Sequence, residues 1–239
     1  MDFRILGPLE VVDEGRVVAV SGSKQQALLS VLLVHANETL SADQLIEELW
    51  GETPPATANK TLQVHVSRLR KTLADGNGKD EILLTRAHGY QLNVEPERVD
   101  AHRFEQLVAE GRRALAAGQD ARAAATLERA LAMWRGVPLG DLAYEPFAAR
   151  ESDRLAELRI GAIEELLDAK LALGRHAEVV AEIDALIAEH PYRERLRAQK
   201  MLALYRSDRQ ADALQVYQDA RVRLVMDLGI EPGERLRRL

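Results

Sequence analysis

A change of text at residues 95–99 constrains this chain more than any other feature. Before it, short apolar runs broken by turn residues are interleaved with helical patterns. After it, proline is sparse, alanine is frequent and the apolar spacing is helical throughout. A two-residue period buries a strand face and a 3.6-residue period buries a helix stripe, so the two parts call for different architectures. The expectation is an α+β domain over 1–95 and an all-α domain over 99–239, a division that suits a chain of 239 residues.

In the first part, Phe3, Ile5 and Leu6 give way to Gly7-Pro8. Leu9, Val11 and Val12 follow, then a polar Asp13-Glu14-Gly15 turn, then Val17, Val18 and Val20. Runs of this length with such breaks predict a small antiparallel sheet. Ser23 is expected to cap a helix reaching about Asn37, with Ala27, Leu28, Val31, Leu32 and Val34 at helical spacing. Ser41 starts a second helix, with Leu45, Ile46 and Leu49 inward and Trp50 at its end. Gly51 through Pro55 reads as a stiff loop, since two adjacent prolines cannot continue a helix. A third helix is predicted from about Ala56 to Leu73, a turn at Gly76-Asn77-Gly78, and a terminal hairpin from Ile82–Thr85 and Tyr90–Val94. Strands, three helices and a final hairpin describe a winged helix.

The second part carries an internal repeat. Ala177 and Ala211, Val180 and Leu214, Ile183 and Tyr217, and Leu186 and Ala220 stand in matching places, and Ala121, Ala124, Leu127 and Ala130 fit the same columns. The offset of roughly 34 residues is the period of tetratricopeptide helical hairpins. The stretch from Gly136 to Phe147, with Pro138, Gly140 and Pro146, interrupts the series as an ordered loop or short linker.

Composition narrows the function classes. Hydrophobic residues make up 46% and charged residues 29%, the balance of a chain that buries a core. There is no cysteine, which removes disulfides, thiolate metal sites and cysteine nucleophiles. None of the six histidines has another at i,i+3 or i,i+4, so no metal is expected. No catalytic fingerprint is present, neither Gly-x-Ser-x-Gly nor a dinucleotide motif, and Gly78-Lys79 lacks the earlier glycine of a phosphate loop. No enzyme and no cofactor are expected. No leader pattern and no long apolar run is read, so the expected compartment is the cytoplasm, without a membrane.

The net charge of −6 would by itself argue against nucleic acid. Its distribution argues otherwise, because only the local field meets a phosphate. Residues 41–52 hold Asp43, Glu47, Glu48 and Glu52 with no base, whereas residues 56–74 hold Lys60, Arg68, Arg70 and Lys71 with no acid. On a helical wheel Leu62, Val66, Leu69 and Leu73 form one narrow stripe. Lys60, Val64, Ser67, Arg68 and Lys71 gather on the far side, with Arg70 at the flank. Such a face is often merely solvated, but a solvated face ordinarily carries acids for i,i+4 pairs, and this one has none. Val64 also stands among the cations with nothing in the pattern to bury it. A helix lodged in the major groove accounts for both, since arginine bonds guanine O6 and N7 and a small apolar side chain packs on a thymine methyl. Lysines and Arg86 of the hairpin would then hold phosphates. His65 stays open between a phosphate contact at the helix edge and a partly buried neighbour of the core.

The run Thr61-Leu62-Gln63-Val64-His65-Val66-Ser67-Arg68-Leu69-Arg70-Lys71, followed by Gly89-Tyr90, resembles the recognition helix and wing of OmpR-like winged helices. Leu6-Gly7-Pro8-Leu9, Gly174-Arg175-His176-Ala177, His190-Pro191-Tyr192-Arg193-Glu194 and Asp227-Leu228-Gly229-Ile230-Glu231-Pro232 are similar to the SARP family, the actinobacterial antibiotic regulatory proteins. In that family the DNA-binding domain is joined to a tetratricopeptide-like bacterial transcriptional activation domain. The resemblance implies DNA contacts at Lys60, Val64, His65, Ser67, Arg68, Arg70 and Arg86. It also implies binding to direct repeats in promoter DNA by side-by-side protomers, recruitment of RNA polymerase through its sigma factor and alpha subunit, and control of antibiotic biosynthesis from the nucleoid. Polymerase is expected at the loop Gly51–Thr57, hence at Glu52, Thr53, Pro54 and Pro55. The sequence departs from the relatives in two respects: no phosphoacceptor receiver domain is read, and larger members continue past the Glu231-Pro232 motif into a nucleotide-binding module. The competing expectation is a helical-repeat scaffold whose first domain does not bind DNA.

Overall fold

The computed structural model describes residues 1–74 and 82–239. The turn expected at Gly76-Asn77-Gly78 lies outside them. Two compact units are formed, one from residues 1–106 with 130–159 and the other from residues 107–129 with 160–239.

The first unit opens on three antiparallel strands in the order β1 (Asp2–Arg4), β2 (Glu10–Asp13) and β3 (Arg16–Val18), with Phe3 opposite Val11 and Val11 opposite Val18. The helices α1 (Ser23–Val34), α2 (Ala42–Trp50) and α3 (Ala58–Leu73) follow and pack on one another. α1 is buried nearly all round, and Leu28, Leu29, Leu32 and Leu33 fill the centre of the unit with Leu45, Leu62 and Leu69. Ser23 does not cap it: the cap position belongs to Gly22, with no side-chain bond, and Ser23 is the first helical residue. At α2 the expected start is found in full. Ser41 Oγ accepts the Gln44 backbone N–H, and Gln44 Oε1 accepts that of Ser41, a reciprocal capping box.

A second sheet, in the order β4 (Leu40–Ser41), β6 (Gly89–Leu92) and β5 (Leu83–Arg86), carries the hairpin. The two-residue strand β4 is too short to show in a pattern. Its pairing dictates glycine at position 89, where a Cβ would stand 1.8 Å from the Leu40 carbonyl oxygen.

The first unit also takes in residues beyond the change of text. Buried Asp100, the first residue of α4 (Asp100–Ala116), accepts the backbone N–H groups of Ile5 at 2.7 Å and Leu6 at 3.1 Å. The backbone N–H groups of Arg135 and Leu139 donate to the carbonyls of Leu6 and Ile5. Gly7 lies where a Cβ would meet that of Arg135 at 2.8 Å. The backbone N–H and C=O groups of Ile5 and Leu6 thus find partners far along the chain, which draws residues 130–159 to the first sheet. The interruption from Gly136 to Phe147 contains a 3₁₀ turn at Gly140–Tyr144, and Pro146 then opens a helix, where its missing N–H costs nothing.

The second unit is helical, built from parts of α4, α5 (Asp120–Leu131) and α6 (Pro146–Ala172), and from α7 (His176–Glu189), α8 (Glu194–Tyr205), α9 (Gln210–Leu228) and α10 (Glu234–Arg238). α8 packs on both α7 and α9. Gly111 of α4 sits where a Cβ would stand 2.7 Å from the Leu127 side chain of α5, so the missing side chain lets these helices approach closely. Of the expected columns, Ala124, Leu127, Ala130, Ile183 and Ala220 are buried, but the first column is displaced by two residues. Ala123, Val179 and Ala213 are buried in register, whereas Ala121, Ala177 and Ala211 face solvent. Alanine fits either place at little cost, so the sequence alone does not separate the two columns.

Candidate nucleic-acid interface

The expected core stripe of α3 is found: Ala58, Leu62, Val66, Leu69 and Leu73 are buried. The backbone enters through the exposed loop 51–57, where Gly51 takes a left-handed φ of 60° and Pro55 O accepts the Ala58 N–H at 2.8 Å. Glu52, Thr53, Pro54 and Pro55 are all exposed in it.

Opposite the stripe, Lys60, Ser67, Arg68 and Lys71 are exposed, and Val64 is 46% exposed. The side chains of Lys60, Arg68 and Lys71 make no hydrogen bond or ion pair with any described residue. Three long cations and one apolar side chain therefore share a surface that nothing in the described fold neutralises. Such a surface attracts polyanions and offers both hydrogen-bond donors and a methyl contact.

Two residues of the expected set are used differently. His65 turns toward Trp50 at the end of α2, with ring centroids 6.4 Å apart. Its Nδ1 is buried without a partner. Burial lowers its pKa, and the nearby Arg68 and Lys24 charges lower it further, so the neutral imidazole is favoured. A neutral, half-buried ring is ill suited to gripping a phosphate. Arg70, at the flank, bonds β5: its Nε donates to Leu83 O at 2.8 Å and its Nη2 to Thr85 Oγ1 at 2.7 Å.

Arg86 lies at the exposed end of β5, paired with Gly89 across the hairpin. Its Nε donates to Gln91 Oε1 at 2.6 Å, and Gln91 Nε2 donates to the Asn37 carbonyl at 2.6 Å. Asn37, with a left-handed φ of 68°, exchanges hydrogen bonds through its amide with the backbone of Val94. Sequence reasoning missed Asn37 and Gln91. An asparagine just past a helix end was a legible signal, because its side chain tolerates that conformation. It also missed Lys24, whose ammonium donates to the Leu49 carbonyl at the C-terminal end of α2, where the helix dipole is negative, and lies 6.0 Å from the Trp50 ring centroid. Among the described residues, no group of three or more His, Asp or Glu could hold a metal ion.

Comparison with known proteins bears on this surface. Residues 17–92 match the family "Transcriptional regulatory protein, C terminal", and residues 99–239 match "Bacterial transcriptional activator domain". The chain is 38% identical over 246 residues to Regulatory protein DnrI of Streptomyces peucetius, covering 100% of this chain and 90% of that protein. It is 39% identical over 237 residues to Regulatory protein AfsR of Streptomyces griseus, but spans only 24% of that protein's length. A solved structure of Mycobacterium tuberculosis EmbR in complex with a low-affinity phosphopeptide superposes with a TM-score of 0.95 at 38% identity, over 99% of this chain and 63% of that one.

Proposed function

Because the chain belongs to the SARP family of transcriptional regulators, an OmpR-like winged helix followed by a bacterial transcriptional activator domain, we propose that it is a sequence-specific activator that reads promoter DNA with α3. The unneutralised face of Lys60, Arg68 and Lys71 around exposed Val64 carries this reading. Arg68 and Val64 meet base edges; Lys60, Ser67 and Lys71 meet phosphates, as does Arg86 from the hairpin. His65 and Arg70 serve the interior of the domain.

The finer assignments are part of the same proposal, supported by the resemblance to the family. DNA binding belongs to residues 1–95 and activation to residues 99–239. Protomers sit side by side on direct repeats about one helical turn apart. The exposed loop at Glu52, Thr53, Pro54 and Pro55 meets RNA polymerase, and sigma and alpha are the partners. The genes controlled are those of secondary-metabolite, antibiotic, biosynthesis. No helix among the described residues is long and apolar enough to cross a membrane, and the working place is the nucleoid in the cytoplasm. The relatives are regulators, and no catalytic step is assigned.

A salt titration of duplex binding tests the reading. A protein that neutralises phosphates loses affinity linearly in log salt, by about 0.9 per contact. The three cationic phosphate contacts, Lys60, Lys71 and Arg86, predict a slope near −2.7 on that basis, about 3 × 0.9. A flat titration, or no binding at low salt to any duplex, leaves the scaffold reading in place of this one.

A further inference from the structure

We infer that Arg70 is a positioning residue for DNA recognition, acting through Arg86 rather than through a contact of its own. The inference rests on the DNA-binding reading above. On the wheel Arg70 leaves α3 between the buried stripe and the exposed face, and its side chain crosses to the hairpin. There it takes two acceptors on one strand, Leu83 O at 2.8 Å and Thr85 Oγ1 at 2.7 Å. Two donors at fixed angles on a planar group set orientation as well as distance, which a single ammonium cannot do.

The next residue along β5 is Arg86. Its guanidinium is held from the other side by Gln91, which is itself anchored on the Asn37 carbonyl beyond the end of α1. The wing arginine is thus steadied from two sides, by Arg70 of the recognition helix through β5 and by Asn37 past the end of α1. The other ties of the hairpin act on β6 and its end, through the β4 residues Leu40 and Ser41 and through Asn37, which bonds Leu92 and Val94. With Arg70 removed, the hairpin keeps its fold but loses its setting against α3, and Arg86 must be ordered at the moment of binding. That ordering cost falls on affinity.

The test is a double-mutant cycle in the full chain, on a duplex that the wild-type protein selects from random sequence. Arg70→Ala, Arg86→Ala and the double variant are compared across salt concentrations, with Arg70→Lys and Thr85→Val beside them. Arg70→Ala is expected to weaken binding roughly 5- to 30-fold in the wild-type background and less than about twofold in the Arg86→Ala background. Arg70→Lys is expected not to rescue, because it keeps the charge but not the paired donors. Thr85→Val, which leaves Arg70 in place, gives a smaller loss in the same direction and decides the matter if Arg70→Ala does not fold. Additive effects of Arg70 and Arg86, or rescue by lysine, overturn the inference in favour of a direct phosphate contact. Failure of the wild-type protein to bind duplex in a salt-dependent way is a different outcome, visible before any variant is made, and it removes the DNA-binding reading itself.

Discussion

The exposed face of α3 and the helices of the second unit treat positive charge in opposite ways. In the second unit, most arginines and lysines are matched with carboxylates: Arg112 with Glu165, Arg122 with Glu110, Lys170 with Glu182, Arg195 with Glu164 and Asp168, Arg221 with Glu231. The hydrogen bonds that Arg175 donates to Glu178 raise its pKa well above its ordinary value. On α3, Lys60, Arg68 and Lys71 have no such partner among the described residues. Paired charges on helix surfaces join neighbouring turns and neighbouring helices at modest gain. Cations left unmatched on one face add little to the fold and leave a positive surface open to a polyanion.

Four measurements break or sharpen this contrast. The largest effect is expected from replacing Lys60, Arg68 and Lys71 together by alanine. Duplex affinity at physiological salt should fall by roughly 3–5 kcal/mol, from one base contact and two phosphate contacts. The unfolding free energy should stay within about 0.5 kcal/mol, as for surface sites without partners. An equal loss in both quantities would merge the two kinds of charge and abolish the contrast.

Next comes the opposite case in the second unit. The Glu164 side chain is 6% exposed and accepts from Arg193 and Arg195. Glu164→Gln keeps the shape and removes the charge, taking one carboxylate away from two partly buried guanidinium groups, of which Arg195 keeps Asp168. Chemical denaturation should show a loss of about 1–3 kcal/mol, with duplex affinity unchanged.

The single variants separate reading from gripping. Arg68→Ala should cost about 1–3 kcal/mol on the selected duplex and little on a scrambled one. Lys60→Ala should weaken both alike and lower the salt slope by about 0.9. Should Arg68→Ala leave the preference between the two duplexes untouched, its place at a base edge is wrong.

The smallest effect concerns pH. The folded pKa of His65 is lowered, chiefly by burial, so folding favours the neutral ring. Above the unfolded value of about 6.5 both states are neutral and stability does not depend on this group. As pH falls below it, the unfolded chain takes up the proton first and stability declines, until the folded pKa is passed. Urea unfolding at pH 7.5 and 5.5 should therefore show a smaller decline for His65→Gln than for the wild type. An identical decline would mean that the ring is hydrated in the folded state.

Much of the fold was legible because periodicity reports which face is buried. The α3 stripe, the start of α2 at Ser41 and the helical second part all follow from spacing and residue type. The strand ends differed by a residue or so, and β4 went unseen, because two residues carry no pattern. At the site, Lys60, Val64, Ser67, Arg68 and Lys71 were read correctly as an outward face, since exposure follows from angle on a helix. Arg70 and His65 sit at its margins, at angles where a long or flat side chain can turn either way. What each meets there depends on β5 and on Trp50, neither of which is fixed by the helix's own sequence.

By itself the amino-acid order determined where helices run, which side of each faces inward, and that the basic residues of α3 have no acid on their own helix. Those properties are local, set by dihedral preference and by a spacing of three or four residues. Only the tertiary structure decided that residues 130–159 pack with the first sheet, that Arg70 grips β5, and that Arg86 is steadied from Asn37. Such contacts join separate elements, across 13 residues for Arg70 and Leu83 and 54 for Gln91 and Asn37, and a hydrogen bond between elements leaves no periodic trace in either stretch of sequence.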